Sequence, residues 1–208
     1  PAIDRASLRQ KVDFDVYPYP AGSTVLMPFR LRPDVKVQLT WSVPHPEMAG
    51  KMLSDIARGW NTSEKDAAER LLPAGAIYFQ MEEDDVQKIM AHRLSMIGSD
   101  GLPHDSYPHP RLWGTFPRVL GHYARDLGLF SLETAVRKMT GHTAEVFGMT
   151  DRGVIEPGAY ADLVLFDPAT VKDASTYDAP TKVSEGIIEP WVNGRSADVY
   201  GKSTTEES

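Results

Sequence analysis

Twice along this chain a short strand-like run gives out into a loop of Pro, Gly and polar residues. Each time the polar side chains stand at the strand's C-terminal tip. The first run is Val12–Tyr17, which alternates acidic with apolar or aromatic residues and enters the loop Pro18-Tyr19-Pro20-Ala21-Gly22-Ser23. Alternation of that kind reads as a strand, and a Pro/Gly cluster as a rigid turn. The second is Leu94-Ser95-Met96-Ile97, stopped by Gly98-Ser99-Asp100-Gly101 and followed by LPHDSYPHPRLWG. Strands that feed polar loops, with helices between them, form the pattern of a (β/α) barrel, whose chemistry sits at the C-terminal face. A barrel needs about eight such units and roughly 250 residues. These 208 residues supply about two, so alone they would leave unpaired strand edges.

The stretch between the two strands has its own pattern. Val35–Trp41 is a second β-like run, and from Glu47 onward Met48, Met52, Leu53, Ile56 and Trp60 follow helical spacing. That stripe suits a core face, or else a lid or partner surface. Asn61 ends the helix, Ser63 offers an N-cap for a shorter one ending near Pro73, and Ala76–Phe79 is again strand-like. Asp84 and Asp85 fall in the first turn of a helix carrying Val86, Ile89 and Met90, where acidic groups favour the dipole. Beyond the second loop, Thr115 is placed to cap a helix with Pro117 in its first turn, the stripe Phe116, Val119, Leu120, Tyr123 and Leu127, and Gly128 as its stop. Ser131 caps another, which Gly141 ends. After Gly153 the character changes to short strands, Ala161–Phe166 and Ile187–Val192, the latter closed by Asn193-Gly194. A boundary falls near residue 150, and KSTTEES (202–208) reads as a frayed polar tail.

Composition narrows the function classes. A net charge of −7 with no Lys/Arg run argues against a general nucleic-acid binder. The chain has no cysteine, which excludes disulfides and thiolate chemistry and suits a cytoplasmic protein. It contains neither an apolar run long enough for a membrane span nor a signal-peptide core, and it begins at Pro1 rather than Met.

Four runs together resemble the N-acyl-D-amino-acid deacylases (D-aminoacylases) of the amidohydrolase superfamily. They are DVYPYPAGST (Asp15–Thr24), PAGAIYF (Pro73–Phe79), MIGSDGLPHD (Met96–Asp105) and HPRLWGTFPRVLGHY (His109–Tyr123). A more general mark of the superfamily is GVIEPGAYADLVLFD (Gly153–Asp167). The resemblance implies an α/β fold: the C-terminal part of a metal-dependent-hydrolase (β/α)8 TIM barrel, about strands seven and eight, then part of a small β-sandwich domain. Residues 1–150 would belong to the barrel, with 21–83 inserted between those two strands, and 151–208 to the β domain and tail. The family's early strands carry a His-x-His pair, a Cys ligand and two further His ligands, none of which has a counterpart here. The resemblance therefore implies that zinc is held largely by a missing N-terminal half, which becomes the expected partner.

For the site, the resemblance implies that Asp100 handles protons beside the metal and is the one metal ligand this chain would offer. A metal lowers the pKa of its bound water toward ~7, and a carboxylate within reach can pass the proton to the leaving amine. Taken alone, Ser-Asp-Gly is common turn chemistry. The resemblance assigns Arg111, Tyr17 and Ser23 to the substrate's free carboxylate, which a guanidinium can grip with two parallel hydrogen bonds. Outside the motifs these would be a surface arginine, a packed tyrosine and a turn serine. His104 and His109 lack the further ligands a metal site wants and read as loop histidines that hydrogen-bond near the site mouth. Tyr19 and Trp113 read as packing residues. The implied reaction is metal-dependent hydrolysis of the linear amide of N-acyl-D-amino acids, with no nucleic-acid or membrane partner. Two rivals remain: a related amidohydrolase acting on cyclic amides (dihydropyrimidinase-like), and a non-catalytic fragment that only assembles with the missing half.

Overall fold

A computed structural model describes residues 2–197, so the polar tail lies outside the described residues. In chain order, helix α1 (Ala2–Ser7) precedes strands β1 (Phe14–Val16), β2 (Gly22–Val25) and β3 (Lys36–Ser42). Helices α2 (Leu53–Gly59) and α3 (Glu64–Leu71), strand β4 (Ala74–Phe79), helix α4 (Glu83–Ala91) and strand β5 (Ser95–Ile97) follow. Helix α5 (Arg111–Arg118) passes directly into a π-helical stretch, Val119–Asp126. Then come α6 (Leu132–Met139), α7 (Gly141–Phe147), β6 (Leu163–Phe166), β7 (Ile187–Val192) and β8 (Arg195–Ser196).

The two strands that carry the polar loops are neighbours. β1 and β5 pair in parallel, Phe14 with Ser95, Asp15 with Met96 and Val16 with Ile97, so both loops leave from the same end. All three residues of β5 are buried, as in a parallel strand covered on both faces. Between them, β2, β4 and β3 form an antiparallel sheet in that order. Helices α2 and α3 cover it, and Leu26, Val37, Leu39, Leu53, Ile56 and Leu71 fill an apolar cluster of its own. The Met48–Trp60 stripe therefore serves as core: Leu53 and Ile56 are buried, with Met48 and Trp60 packed beside them.

Several local expectations change. The helix expected from Glu47 begins only at Leu53, because Gly50 turns the backbone to φ +82°. Met48 belongs to a short 3-10 turn, and Met52 bridges to Gln38. The loop expected through Ser23 already gives way to strand β2 at Gly22. Thr115 lies inside α5 rather than capping it, its hydroxyl donating to the Arg111 carbonyl at 2.7 Å. Gly141 opens α7 instead of merely closing α6; the break is at Thr140, which leaves helical geometry at φ −128°, ψ −92°. The serine caps hold: Ser63 Oγ accepts from Asp66 N at 3.1 Å, and Ser131 Oγ from Thr134 N at 3.2 Å. Asn61 and the Asn193-Gly194 pair take the positive φ that their turns require.

A second cluster joins the rest of the chain. Val86, Met90, Ile97, Val119, Leu120, Tyr123 and Ala135 pack with Val171, which comes from beyond β6. Pro117 has no N–H to offer the Trp113 carbonyl one turn back, and that carbonyl accepts instead from Ser184 Oγ at 3.2 Å. The segment after β6 is thus fastened to α5 and its π-helical continuation. Val171 is fully buried, so Val171→Ala should cost about 2 kcal/mol, from two lost methyl groups and the gap they leave. A lower urea midpoint with an unchanged m-value would report it; an unchanged midpoint would remove Val171 from the core.

Candidate functional site

Arg111 opens α5, and its side chain is only 1% exposed. A buried guanidinium has to be paired, because an unpaired charge in the interior is costly. Its Nη2 lies 2.8 Å from Asp100 Oδ2 and donates to the Ser23 carbonyl at 3.3 Å. Its central carbon stands 4.5 Å from the centroid of the Tyr17 ring, a cation–π contact. Its Nε is buried and without a hydrogen-bond partner, as is Ser23 Oγ. Asp100, Tyr17 and Ser23 thus meet around the Arg111 guanidinium, the four residues being drawn from three separate stretches of the sequence. Burial pushes the Tyr17 phenol above its usual range, opposed by the Arg111 charge.

The loop after β5 places Asp100. At Gly98 a Cβ would lie 2.4 Å from Asp15 Oδ2, so a larger residue there would have to push the Asp15 carboxylate aside. Asp100 itself takes φ +44°, a left-handed conformation that aspartate tolerates better than most residues. This turn leaves the carboxylate 62% exposed at the loop tip. The ion pair is therefore lopsided. The cation is fixed and buried, while the anion sits on an exposed turn from which it can move.

His109 positions Arg111. It is buried, and its Nδ1 accepts from the Arg111 backbone N–H at 2.9 Å while its Nε2–H donates to the Ala21 carbonyl at 3.0 Å. The ring therefore caps α5 and ties it to the residue before β2. These two bonds fix the neutral Nε2–H tautomer. Burial, helped by the Arg111 charge, lowers its pKa to about 3 against the Ala21 bond. His109 is thus a hydrogen-bonding residue beside the site, as its loop setting suggests.

A second arginine supports the turn that carries Tyr17. Arg118, two helical turns beyond Arg111 on the same face, donates through Nε to the Pro18 carbonyl at 3.0 Å and pairs with Asp173 at 3.2 Å. Its guanidinium also stands over Tyr19 and Tyr123 at 5.1 and 5.7 Å. Tyr19 is buried there as a packing residue; Trp113 stays 42% exposed. The sequence reading missed Arg118, although its spacing from Arg111 carried a signal. It also missed Asp173, which lies in no recognisable motif. His104 joins no group that could hold a metal.

Among the described residues no cluster of three or more His, Cys, Asp or Glu could hold a metal ion. Asp100 is a single exposed carboxylate already paired with Arg111, so the donors among the described residues do not by themselves make a metal site. What they do make is a corner in which a buried cation meets the Tyr17 ring, the Ser23 carbonyl and the Asp100 carboxylate, with the guanidinium Nε left unpartnered. No helix among the described residues is long and apolar enough to cross a membrane.

The model of the amidohydrolase family matches residues 48–198. A D-aminoacylase of Alcaligenes xylosoxydans xylosoxydans is 56% identical over 194 residues, 93% of this chain and 40% of that protein. Among solved structures, N-acyl-D-glutamate deacylase from Bordetella bronchiseptica was captured with zinc and a phosphonate inhibitor, a mimic of its tetrahedral intermediate. It superposes with a TM-score of 0.94 at 50% identity, over 99% of this chain and 43% of that one. A D-aminoacylase structure superposes with a TM-score of 0.90 at 56% identity, over 94% and 41% of the two chains. The chain spans about 40% of the length of the curated relatives it matches.

The neutral His109 makes a prediction for stability. Below pH ~6.5 the unfolded chain binds a proton on this imidazole, whereas the folded chain refuses it down to about 3. The unfolded state then holds more protons, so stability falls as pH falls through this window and levels off below it. The slope is about 1.4 kcal/mol per pH unit. Between pH 7.5 and 5 the protein should lose about 2 kcal/mol more than His109→Gln does. Parallel pH–stability curves from urea denaturation would contradict a neutral His109.

Proposed function

The chain belongs to the amidohydrolase family, and from that premise we propose that it is the C-terminal part of an enzyme hydrolysing the linear amide of N-acyl-D-amino acids. The observation that carries this reading is the convergence of Asp100, Tyr17 and Ser23 on the buried Arg111. An N-acyl amino acid presents a free carboxylate. Arg111 binds it through its unpartnered Nε and the adjacent Nη2, the geometry of a two-bond grip. Ser23, whose carbonyl already accepts from Nη2, offers its buried and unpartnered Oγ as a further donor, and the Tyr17 phenol closes the third side. Cyclic amides have less need of such a corner, which favours the linear-amide reading.

The incoming carboxylate competes with Asp100 for Nη2. The exchange is inexpensive, because one anion replaces another on a cation that must stay paired, and the exposed Asp100 turn gives room to move. Asp100, released toward the amide, takes a proton from the water that attacks the acyl carbon and passes it to the amine nitrogen as the C–N bond breaks. Zinc, as in the Bordetella relative's structure, would be held by residues from outside this chain. β1 and β5 serve as the seventh and eighth barrel strands, with 21–83 inserted between them and 151–208 as part of the side β domain. The N-terminal half of the same enzyme is the partner this arrangement requires.

The lone chain should be inert, and this keeps a second reading, a purely assembling fragment, open to test. Zinc content and turnover of N-acetyl-D-methionine should be absent in the chain alone and appear when an N-terminal polypeptide is supplied. Turnover by the lone chain would overturn the need for a partner, and no turnover in the assembled enzyme would leave only the fragment. In that enzyme, Asp100→Ala should lower kcat by about a thousandfold without unfolding the protein; a near-normal rate would end its proton role. Arg111→Lys should raise KM by about ten- to a hundredfold, the worth of a charged hydrogen bond that ammonium cannot make in a fork, with kcat nearly unchanged.

A further inference from the structure

Between β6 and β7 the chain throws out a loop that neither the motifs nor the proposed function uses. Its base is closed by paired backbone bonds between Lys172 and Glu185, at 3.2 and 3.0 Å. Its near side is held by Val171 in the core and by Asp173 on Arg118. Ser175 Oγ donates to the Pro110 carbonyl at 3.1 Å, at the start of α5. The Tyr177 carbonyl accepts from Gln38 Nε2 of β3 at 3.2 Å. The loop is therefore anchored on both sides of Tyr177, and its ring is delivered to one place.

That place is His109. The Tyr177 ring lies 5.2 Å from the imidazole, centroid to centroid, at 80°. It also packs edge-on against Phe79 at 4.8 Å and Tyr19 at 6.5 Å. Tyr19 and Tyr17 stand around the same imidazole at 5.2 and 6.3 Å. His109 has one hydrogen bond on each ring nitrogen, and both lie in the ring plane. These two bonds resist a tilt of the ring, and the aromatic edges packed around it close the space it would tilt into.

We propose that Tyr177 is a positioning residue for the carboxylate clamp: its ring holds His109 in the orientation that caps Arg111 and ties α5 to Ala21. This rests on the proposed role of Arg111 in substrate binding. A tilt of His109 would release the Arg111 N–H and the Ala21 carbonyl together. The guanidinium and Ser23, two residues beyond Ala21, would then lose their common frame. The Tyr177 hydroxyl is buried with no hydrogen-bond partner, so the ring and not the hydroxyl does the holding. Burial accordingly pushes that phenol up to about 12.

The test is a double-mutant cycle in the complete enzyme carrying this segment. Tyr177→Ala should raise KM for N-acetyl-D-methionine about five- to tenfold, the size of an aromatic edge contact, and leave kcat within about twofold. Tyr177→Phe should restore the wild-type KM. In the Arg111→Lys background, Tyr177→Ala should add nothing further, since both act on one clamp. A wild-type KM in Tyr177→Ala, failure of Phe to rescue, or fully multiplicative effects in the double variant would each overturn the proposal. If Tyr177→Ala does not fold, Tyr177→Leu takes its place, keeping apolar bulk but no flat edge. An unchanged KM in Arg111→Lys alone would instead overturn the clamp reading. A raised KM there with none in Tyr177→Ala or Tyr177→Leu would overturn only the role of Tyr177.

Discussion

A guanidinium buried as completely as that of Arg111 has to be supplied with partners by the rest of the fold, because its desolvation is repaid only by close, well-aligned groups. One acceptor comes from the tip of the loop after β5, another from the backbone of β2, and a π-face from the residue that follows β1. The parallel pairing of β1 with β5 brings the first and third together. The antiparallel sheet of residues 22–79 brings the second. The site is thus a consequence of satisfying one charge. The nitrogen left unpaired there is the one that the proposed carboxylate grip would use.

Support for that charge runs outward in layers. His109 holds the N-terminal end of α5 through the Arg111 N–H and reaches to Ala21. Arg118, on the same helix face, holds the Tyr17-Pro18-Tyr19 turn through the Pro18 carbonyl and is itself neutralised by Asp173. The helix between them contains Pro117, and the carbonyl this frees is taken by Ser184. A chain region beyond β6, distant in sequence, therefore enters the energetics of the site through Asp173, Ser175, Tyr177 and Ser184. Removing it would leave a partly buried arginine without its anion and a helix carbonyl without its donor.

Much of the local structure was legible because it depends on neighbours in sequence. Ser63 and Ser131 cap as their positions predict, and Asn193-Gly194 makes the turn that only such residues make easily. The stripe Val119, Leu120, Tyr123 faces the core, although Phe116 and Leu127 at its edges stay exposed. Errors arose where a single backbone angle or a distant group intervened. Gly50 cut a helix whose side-chain spacing was sound. Thr115, a good cap by type, was overtaken because α5 begins four residues earlier, at Arg111, whose N–H is held by the His109 ring.

By itself the sequence determined the chemical types at the site and the tips on which they stand: a carboxylate after Gly98, an arginine after His109, a tyrosine and a serine flanking a Pro-rich turn. Strand length, glycine placement and turn chemistry are local properties, and they are written in local order. Only the tertiary structure decided that these four residues share one guanidinium, that Asp100 pairs with it across an exposed turn, and that Arg118 and Tyr177 stand behind it. Those facts depend on which strands pair and on where a loop some sixty residues downstream is anchored. Long-range pairing of that kind is fixed by burial and charge satisfaction over the whole fold, which no window of neighbouring residues records.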